Sequence, residues 1–536
     1  MNKLLTTSIK EVSQKISIGD VRPSDITKAS VKVTSIIKPL NAYITVTDET
    51  AKKHAESSDL RQKNHNLLGR LDGIPIAIKD NYCIKEHLTT CASKMLSKFI
   101  PPYNATVYQR LKDAGAVLIG KTNLDEFAMG SGTIDSYYGP TKNLWNSDVL
   151  TKFYSCNKHK ECIKQNTDAN LWHIAGICYK IPFFKFFYNI PILGGSSGGS
   201  AVAVISGSCY GAIGSDTGGS TRNPASYCGL IGLKPTYGLV SRYGLIPLVN
   251  SMDVPGILTR NVDDSVLILN TIAGPDKLDS TCLQKEYIPF EIADTINISD
   301  LRIGIPKEYK EKNLSPEIQK CWDEVSQYLK EGGASLFTVS LPYTNYSIMC
   351  YSVLNRCDIA SNLACYDGIE YGYRSNEWNS VYDMYKKTRS EGFGKIVKER
   401  ILVGNYFLLE ENYEEYYVKA MKIRRLISED FNAIWNNNID LLLTPTTLTE
   451  APKYNDFISM DNQTQCSIQD YCTQPANMAG IPAVNIPIKL SKNNLPLSLQ
   501  LMASPFNEKI LLTVAKWIEQ RVQFPKLELK DIYLLE

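Results

Sequence analysis

The sequence predicts an α/β protein, and three observations predict it. Segments with apolar residues at helical spacing alternate along the chain with short runs that are apolar at almost every position, the mark of buried strands between helices. A composition of 43% hydrophobic and 21% charged residues over 536 positions belongs to a globular chain with a sizeable core, and excludes disordered, collagen-like and disulfide-scaffold classes. Residues 194 to 260 are the richest in Gly and Ser, yet apolar runs such as AVAVI and GLIGL interrupt them, so this stretch is packed backbone and not a linker.

In order, residues 1–65 read as an N-terminal helical segment. IKEVSQKI sets Val12 and Ile16 on one helical face, and Pro23-Ser24-Asp25 starts a second helix that runs to Ile37. AYITV (42–46) is a strand candidate among these helices. GIPIAIKD (73–80) reads as a buried strand, 105–114 as a helix and AVLI (116–119) as the next strand. PEIQKCWDEVSQYLKE (316–331) and 413–435 read as amphipathic helices, and DLLLTP (440–445) and PAVNIPI (482–488) as buried strands. No internal repeat and no composition break divides 66–536, which is taken as one domain. Residues 147–193 are an atypical insertion within it. Their part ICYKIPFFKFFYNIPIL (177–193) is rich in Ile, Phe, Tyr, Lys and Asn and reads as a translated intron lying outside the core.

Charge and cysteine usage narrow the function. With 58 basic against 56 acidic residues no overall field draws the chain to nucleic acid or anionic lipid, so any RNA contact is local or made by a partner. The fourteen cysteines of a long chain without a readable signal or transit peptide are expected as reduced thiols. Residues 186–215 carry no charge, but seven glycines crowd the second half, so a buried loop and helix is expected there and not a membrane span.

Several motifs compete for the chemistry. Gly115 to Thr122 matches the phosphate-loop pattern G-x-x-x-x-G-K-[ST], but its four middle residues are themselves the apolar strand, so no phosphate cradle is expected. Gly194-Gly195-Ser196-Ser197-Gly198 matches G-x-S-x-G, the turn that carries a serine nucleophile ahead of an acid and a histidine. All five histidines precede Ser196, so the chain order supplies no such base. Cys156, His159, Cys162, His173 and Cys178 offer zinc-type ligands inside the atypical segment, at a spacing that matches no familiar zinc module; incidental residues of an insertion are the alternative.

Three residues remain as a base and nucleophile set, Lys79 at the end of IPIAIK, Ser196 in GGSSGGS and Ser220 in SDTGGSTRNP, although each taken singly reads as an exposed strand-end lysine or a turn serine. An apolar setting of Ile74, Ile76 and Ile78 would lower the lysine by desolvation. Glycines before Ser220 would leave backbone N–H groups free for a developing oxyanion.

Together LDGIPIAIKDNY, GKTNLDEFAMGSG, GGSSGGSA, GSDTGGSTRNPA, LLLTPTTL and NMAGIPAVNIP resemble the amidase signature family, over nearly the whole chain except 147–193. The branch it is similar to is that of the glutaminase subunits of tRNA-dependent amidotransferases, mitochondrial type. The resemblance implies a large mixed, twisted β-sheet covered by helices on both faces. It also implies Lys79 as base, Ser196 as relay, Ser220 as acyl nucleophile, and Thr217, Gly218 and Gly219 as oxyanion hole. Tyr351, Arg400 and Asp470 are implied as glutamine-binding residues, the guanidinium taking the α-carboxylate and the carboxylate the α-ammonium. The implied activity is glutamine hydrolysis that feeds ammonia to the conversion of Glu-tRNA(Gln) to Gln-tRNA(Gln). The implied partners are the B and C subunits of the complex, of which the B component holds most of the tRNA. No cofactor or metal is expected in this chain, ATP and magnesium being used by the complex, and no membrane is expected. The implied location is the mitochondrial matrix, with plastid or cytoplasm as alternatives. The rival functions are a stand-alone carboxamide amidase and an inactive scaffold subunit.

Overall fold

The computed structural model describes residues 4–145 and 190–527. Its strands, in chain order, are Tyr43–Val46 (β1), Pro75–Lys79 (β2), Val117–Thr122 (β3), Gly211–Asp216 (β4), Ile231–Lys234 (β5), Val254–Thr259 (β6), Arg302–Pro306 (β7), Ser335–Val339 (β8), Leu441–Pro445 (β9), Ala483–Leu490 (β10) and Pro496–Ala503 (β11). They form one sheet in the order β1-β3-β2-β4-β6-β5-β10-β11-β9-β7-β8. The sheet is mixed: β2 runs parallel to both β3 and β4, and β7 parallel to β8 and β9, while the other pairs are antiparallel.

Successive strand residues point to opposite faces, so a strand buried at every position is covered on both sides. Strands β2 to β6, β9 and β11 are buried throughout, and only the edge strands β1 and β8 reach solvent along much of their length. This is why the central strands read as continuous apolar runs. Strands β4 (GAIGSD) and β6 (VPGILT) escape that reading because glycines, which let neighbouring groups pack against the backbone, break their apolar pattern.

The helix Thr106–Asp113 carries the chain from β2 to the parallel β3, close to the expected 105–114, and Pro316–Glu331 forms as expected. The helix expected at 413–435 starts earlier, as Glu410–Tyr413, passes through a π-helical turn, Glu414–Val418, and continues as Lys419–Asn436. The GKT of the phosphate-loop match lies within β3, where Lys121 Nζ is 2.8 Å from Asp80 Oδ1 and both side chains are fully buried. Its charge is committed inside the core, and no loop exists there to cradle phosphate.

Two boundaries drawn from the sequence are corrected by the packing. Residues 1–65 are not a separate helical segment: β1 pairs with β3, the Ile9 N–H donates to Asp264 Oδ1 (2.9 Å), and one hydrophobic cluster runs from Leu5 to Ile518. Residues 190–193, placed in the insertion and outside the core, are part of the core. Ile190, Ile192 and Leu193 are buried, and the Ile192 N–H donates to the Pro452 carbonyl (2.9 Å). The remainder, 177–189, lies outside the described residues, as do Cys156, His159, Cys162, His173 and Cys178. The eleven described cysteines are free, and among the described residues no helix is long and apolar enough to cross a membrane.

Candidate active site

Parallel strands β2 and β4 pair up to Ile78 and Ile213, which brings Lys79, the last residue of β2, beside Ser215 near the end of β4 at the carboxyl edge of the sheet. That edge is where open α/β sheets place their ligands. The helix Gly198–Ile205 begins there, preceded by a loop whose Gly195–Ser196 peptide bond is cis. Only glycine fits at 195, since a Cβ would sit 2.4 Å from Asp125 Oδ2. Asp125 in turn accepts backbone N–H groups from Thr133, Ile134 and Asp135 at 2.9 to 3.1 Å, and the Thr133 hydroxyl donates to the Gly194 carbonyl (3.0 Å). The loop carrying Ser196 is therefore held from two sides.

Lys79 is fully buried, and its Nζ stands 2.7 Å from Ser196 Oγ, 2.9 Å from Ser197 Oγ and 2.8 Å from Ser215 Oγ. These partners are hydroxyls, with no carboxylate among them. Burial lowers its pKa to about 7, against the opposing pull of Asp125, Asp216 and Asp253. The sequence reading found Lys79 and Ser196 but missed Ser197, Ser215 and Asn81, whose Nδ2 donates to Ser215 Oγ (3.0 Å). The signal was present: a buried amine needs polar neighbours, and Asn81 and Ser215 sit just beyond the ends of the two apolar runs.

Ser220 lies on the turn between β4 and the helix Arg222–Cys228, and the Ser197 N–H donates to its carbonyl (3.1 Å), which ties the two serine segments together. The turn is clamped by a fully buried ion pair missed from the sequence. Arg222 Nε and Nη2 reach Asp216 Oδ2 and Oδ1 at 3.1 and 2.9 Å, and Asp216 also accepts the N–H groups of Thr221 and Arg222. Burial would raise Asp216, but Arg222 overrides it and holds the carboxyl down at about 2. Gly219 adopts φ +149°, and a Cβ there would meet Thr473 Oγ1 at 2.2 Å. Among the described residues none of the backbone N–H groups from Thr217 to Ser220 donates to a protein acceptor, although the turn is buried. Four unspent donors beside a serine hydroxyl are what an oxyanion needs.

The three residues expected to bind substrate come together. Tyr351 and Arg400 stand on the packed helices Ser347–Asn362 and Lys395–Leu408, and Asp470 caps the helix Asn462–Gln469. All three line one pocket, with Asn355, Arg356 and Gln463 among its other walls. A Cβ on Gly218 would lie 3.0 Å from the Tyr351 hydroxyl oxygen and 3.3 Å from Asp470 Oδ2, so two walls of this pocket pack directly against the Ser220 turn. Arg400 Nη2 donates to Asn462 Oδ1 (2.8 Å), and Asn223 Nδ2 donates to Asp470 Oδ1 (2.7 Å). Burial, and after it the charge of Asp216, push Asp470 up to about 8.

A model of the amidase family matches residues 25–151 and 189–512. The chain is 51% identical over 535 residues to the A subunit of the mitochondrial glutamyl-tRNA(Gln) amidotransferase of Drosophila pseudoobscura pseudoobscura, covering 98% of each chain. It is 50% identical over 530 residues to the Homo sapiens protein of the same name, covering 99% of this chain and 96% of that one. Among solved structures it is similar to the A subunit of glutamyl-tRNA(Gln) amidotransferase from Thermotoga maritima, with a TM-score of 0.74, 31% identity and 98% of both chains covered.

Proposed function

The chain belongs to the amidase family, and on that premise we propose that it is the glutaminase subunit of a heteromeric, tRNA-dependent amidotransferase. It hydrolyses glutamine through an ester on Ser220 and supplies the ammonia that converts Glu-tRNA(Gln) to Gln-tRNA(Gln). The observation that carries this reading is the buried Lys79 amine 2.7 Å from Ser196 Oγ, surrounded by hydroxyls and lowered to about 7.

A neutral amine at this place accepts the Ser196 proton as Ser196 accepts the proton of Ser220, and Ser220 Oγ forms a bond to the side-chain carbonyl carbon of glutamine. The free N–H groups of 217–220 receive the negative charge that grows on the carbonyl oxygen. The C–N bond then breaks, ammonia leaves with the proton returned through Ser196, and water attacking by the reverse route releases glutamate. Arg400 holds the α-carboxylate and Asp470 the α-ammonium, while Tyr351 walls the end of the pocket beside Gly218.

The near-neutral charge of the chain fits a subunit that leaves tRNA to its partners, the B and C subunits, with ATP and magnesium consumed there. The names of its relatives support a mitochondrial setting. A pocket walled by guanidinium and carboxylate groups suits a zwitterionic amino acid better than an apolar amide, which favours this reading over a stand-alone amidase.

The test is Ser220→Ala in the co-expressed complex. Ammonia release from glutamine should fall more than about a hundredfold, and the glutamyl ester trapped by acid quench and detected by peptide mass should vanish. Residual glutaminase above about a hundredth of wild type overturns Ser220 as nucleophile.

A further inference from the structure

Arg400 is not the only cation in the pocket. Arg356 lies one turn along its helix from Ser352 and spans the outer end of the cavity. There it donates to the Ser352 carbonyl (2.8 Å) and hydroxyl, and through Nη2 to Gln463 Oε1 (3.2 Å) on the opposite helix. Every one of these acceptors is neutral. Among the described residues no carboxylate reaches salt-bridge distance of either guanidinium, and the partners of Arg400 are Asn355, Asn462 and Cys466. Two like charges thus share one small cavity, and both burial and Arg400 lower the pKa of Arg356.

The donors of the cavity are also in surplus. Arg400 Nε is buried, lines the same pocket and has no hydrogen-bond partner among the described residues, and the buried Asn355 amide beside it has only the Tyr351 hydroxyl and Arg400 Nη1, 3.4 Å from its Oδ1, to meet. A buried donor without an acceptor is destabilising, and an unpaired buried charge more so. Surplus N–H groups with surplus positive charge call for an anion that only accepts, and the carboxylate of an amino acid is one.

We propose that Arg356 is a second carboxylate-reading residue, which together with Arg400 and Asn355 selects a substrate bearing a free α-carboxylate and, through Gln463, closes the pocket behind it. This rests on the glutaminase reading and adds to it the feature that separates the free amino acid from amides lacking the carboxylate. The order of the pocket supports it. Tyr351 and Asp470 meet the Ser220 turn at Gly218, Arg400 and Asn355 are buried, and the Arg356–Gln463 contact is exposed.

The test compares two substrates in the co-expressed complex: glutamine, and 4-aminobutanamide, which is glutamine without its α-carboxylate. Arg356→Gln should lower kcat/KM for glutamine about tenfold or more, mostly through KM, and leave kcat/KM for 4-aminobutanamide within about twofold. Arg356→Lys, which keeps charge and stem, should recover part of the loss and guards against a folding defect. Equal losses for the two substrates, or no loss for either, overturn the assignment while leaving the glutaminase reading intact. A wild-type complex that releases no ammonia from glutamine overturns the glutaminase reading, and this assignment falls with it.

Discussion

Ser197 Oγ stands 2.9 Å from Lys79 Nζ, and its own proton is spent on the Ser215 carbonyl, 3.2 Å away. It must therefore accept from the lysine. A neutral amine has two N–H groups and one lone pair, so with one N–H held by Ser197, the second N–H and the lone pair are divided between Ser196 and Ser215. When Ser196 donates, Ser215 takes the second N–H, and the base is aimed at the relay by hydroxyls alone among the described residues.

Ser197→Ala tests this aiming role. A hydrogen bond to a neutral amine is worth about 0.5–1.5 kcal/mol and one to an ammonium about 1.5–3 kcal/mol, so kcat, which reads the difference as Lys79 takes the proton, should fall roughly tenfold. The hydroxyl also solvates the ammonium form, and its removal favours the neutral amine. The acid limb of the pH profile should accordingly move to lower pH, by about one unit. A purely structural role would lower activity without moving that limb.

The wild-type pH dependence follows from the same group. Burial lowers Lys79 to about 7 from the ordinary 10.5 of a lysine. The base is the neutral form, so kcat at saturating glutamine, where Asp470 is already paired with the α-ammonium, should be roughly tenfold down at pH 6 and rise to a plateau above about pH 8. A profile still climbing at pH 9.5 would mean a lysine with its ordinary pKa, and a flat one from pH 6 to 8 would remove Lys79 as the base.

Arg400→Lys tests the inner end of the pocket. The planar fork of Arg400 reaches Asn462 and Asn355 and leaves Nε for a ligand, whereas an ammonium is a point donor on a flexible stem. The KM for glutamine should rise about tenfold or more with a smaller change in kcat, because the interaction is made in ground state and transition state alike. Unchanged glutamine kinetics would take Arg400 out of the pocket.

Much of this was legible beforehand, for physical reasons that differ by residue. Lys79 could be found because a lysine ending a run of isoleucines is desolvated, and Ser220 because glycines announce a turn with free N–H groups. Arg222, Asp216 and Arg356 were not legible. Their roles arise only when segments far apart in sequence meet, as when Thr473 and Gln500 close over the Arg222 guanidinium. Strand β11 and the helix Ser347–Asn362 were missed for a related reason, since serine and glutamine inside PLSLQLMA, and polar residues scattered along that helix, blur the apolar period while tertiary contacts satisfy them.

The segment before the catalytic loop gives the last prediction. Residues 190–193 are a strap laid on the chain at 452–454: Pro191 bridges to Lys453, the Tyr454 N–H donates to the Ile190 carbonyl (2.8 Å), and Asn143 Nδ2 donates to the Ile192 carbonyl (2.9 Å). Leu193 is fully buried one residue before the glycines that lead to Ser196, so Leu193→Ala should cost about 2–5 kcal/mol and lower the thermal midpoint of the complex. The family model passes over 152–188 and resumes at 189. Deleting 177–189 should therefore keep solubility and glutaminase activity, and deleting 177–193 should lose both, because the second cut removes three buried apolar side chains and the bonds that seat the loop. Retention of full activity and thermal midpoint by the 177–193 deletion would show that the strap is no part of the core. Loss of both by the 177–189 deletion would show instead that the preceding residues are needed.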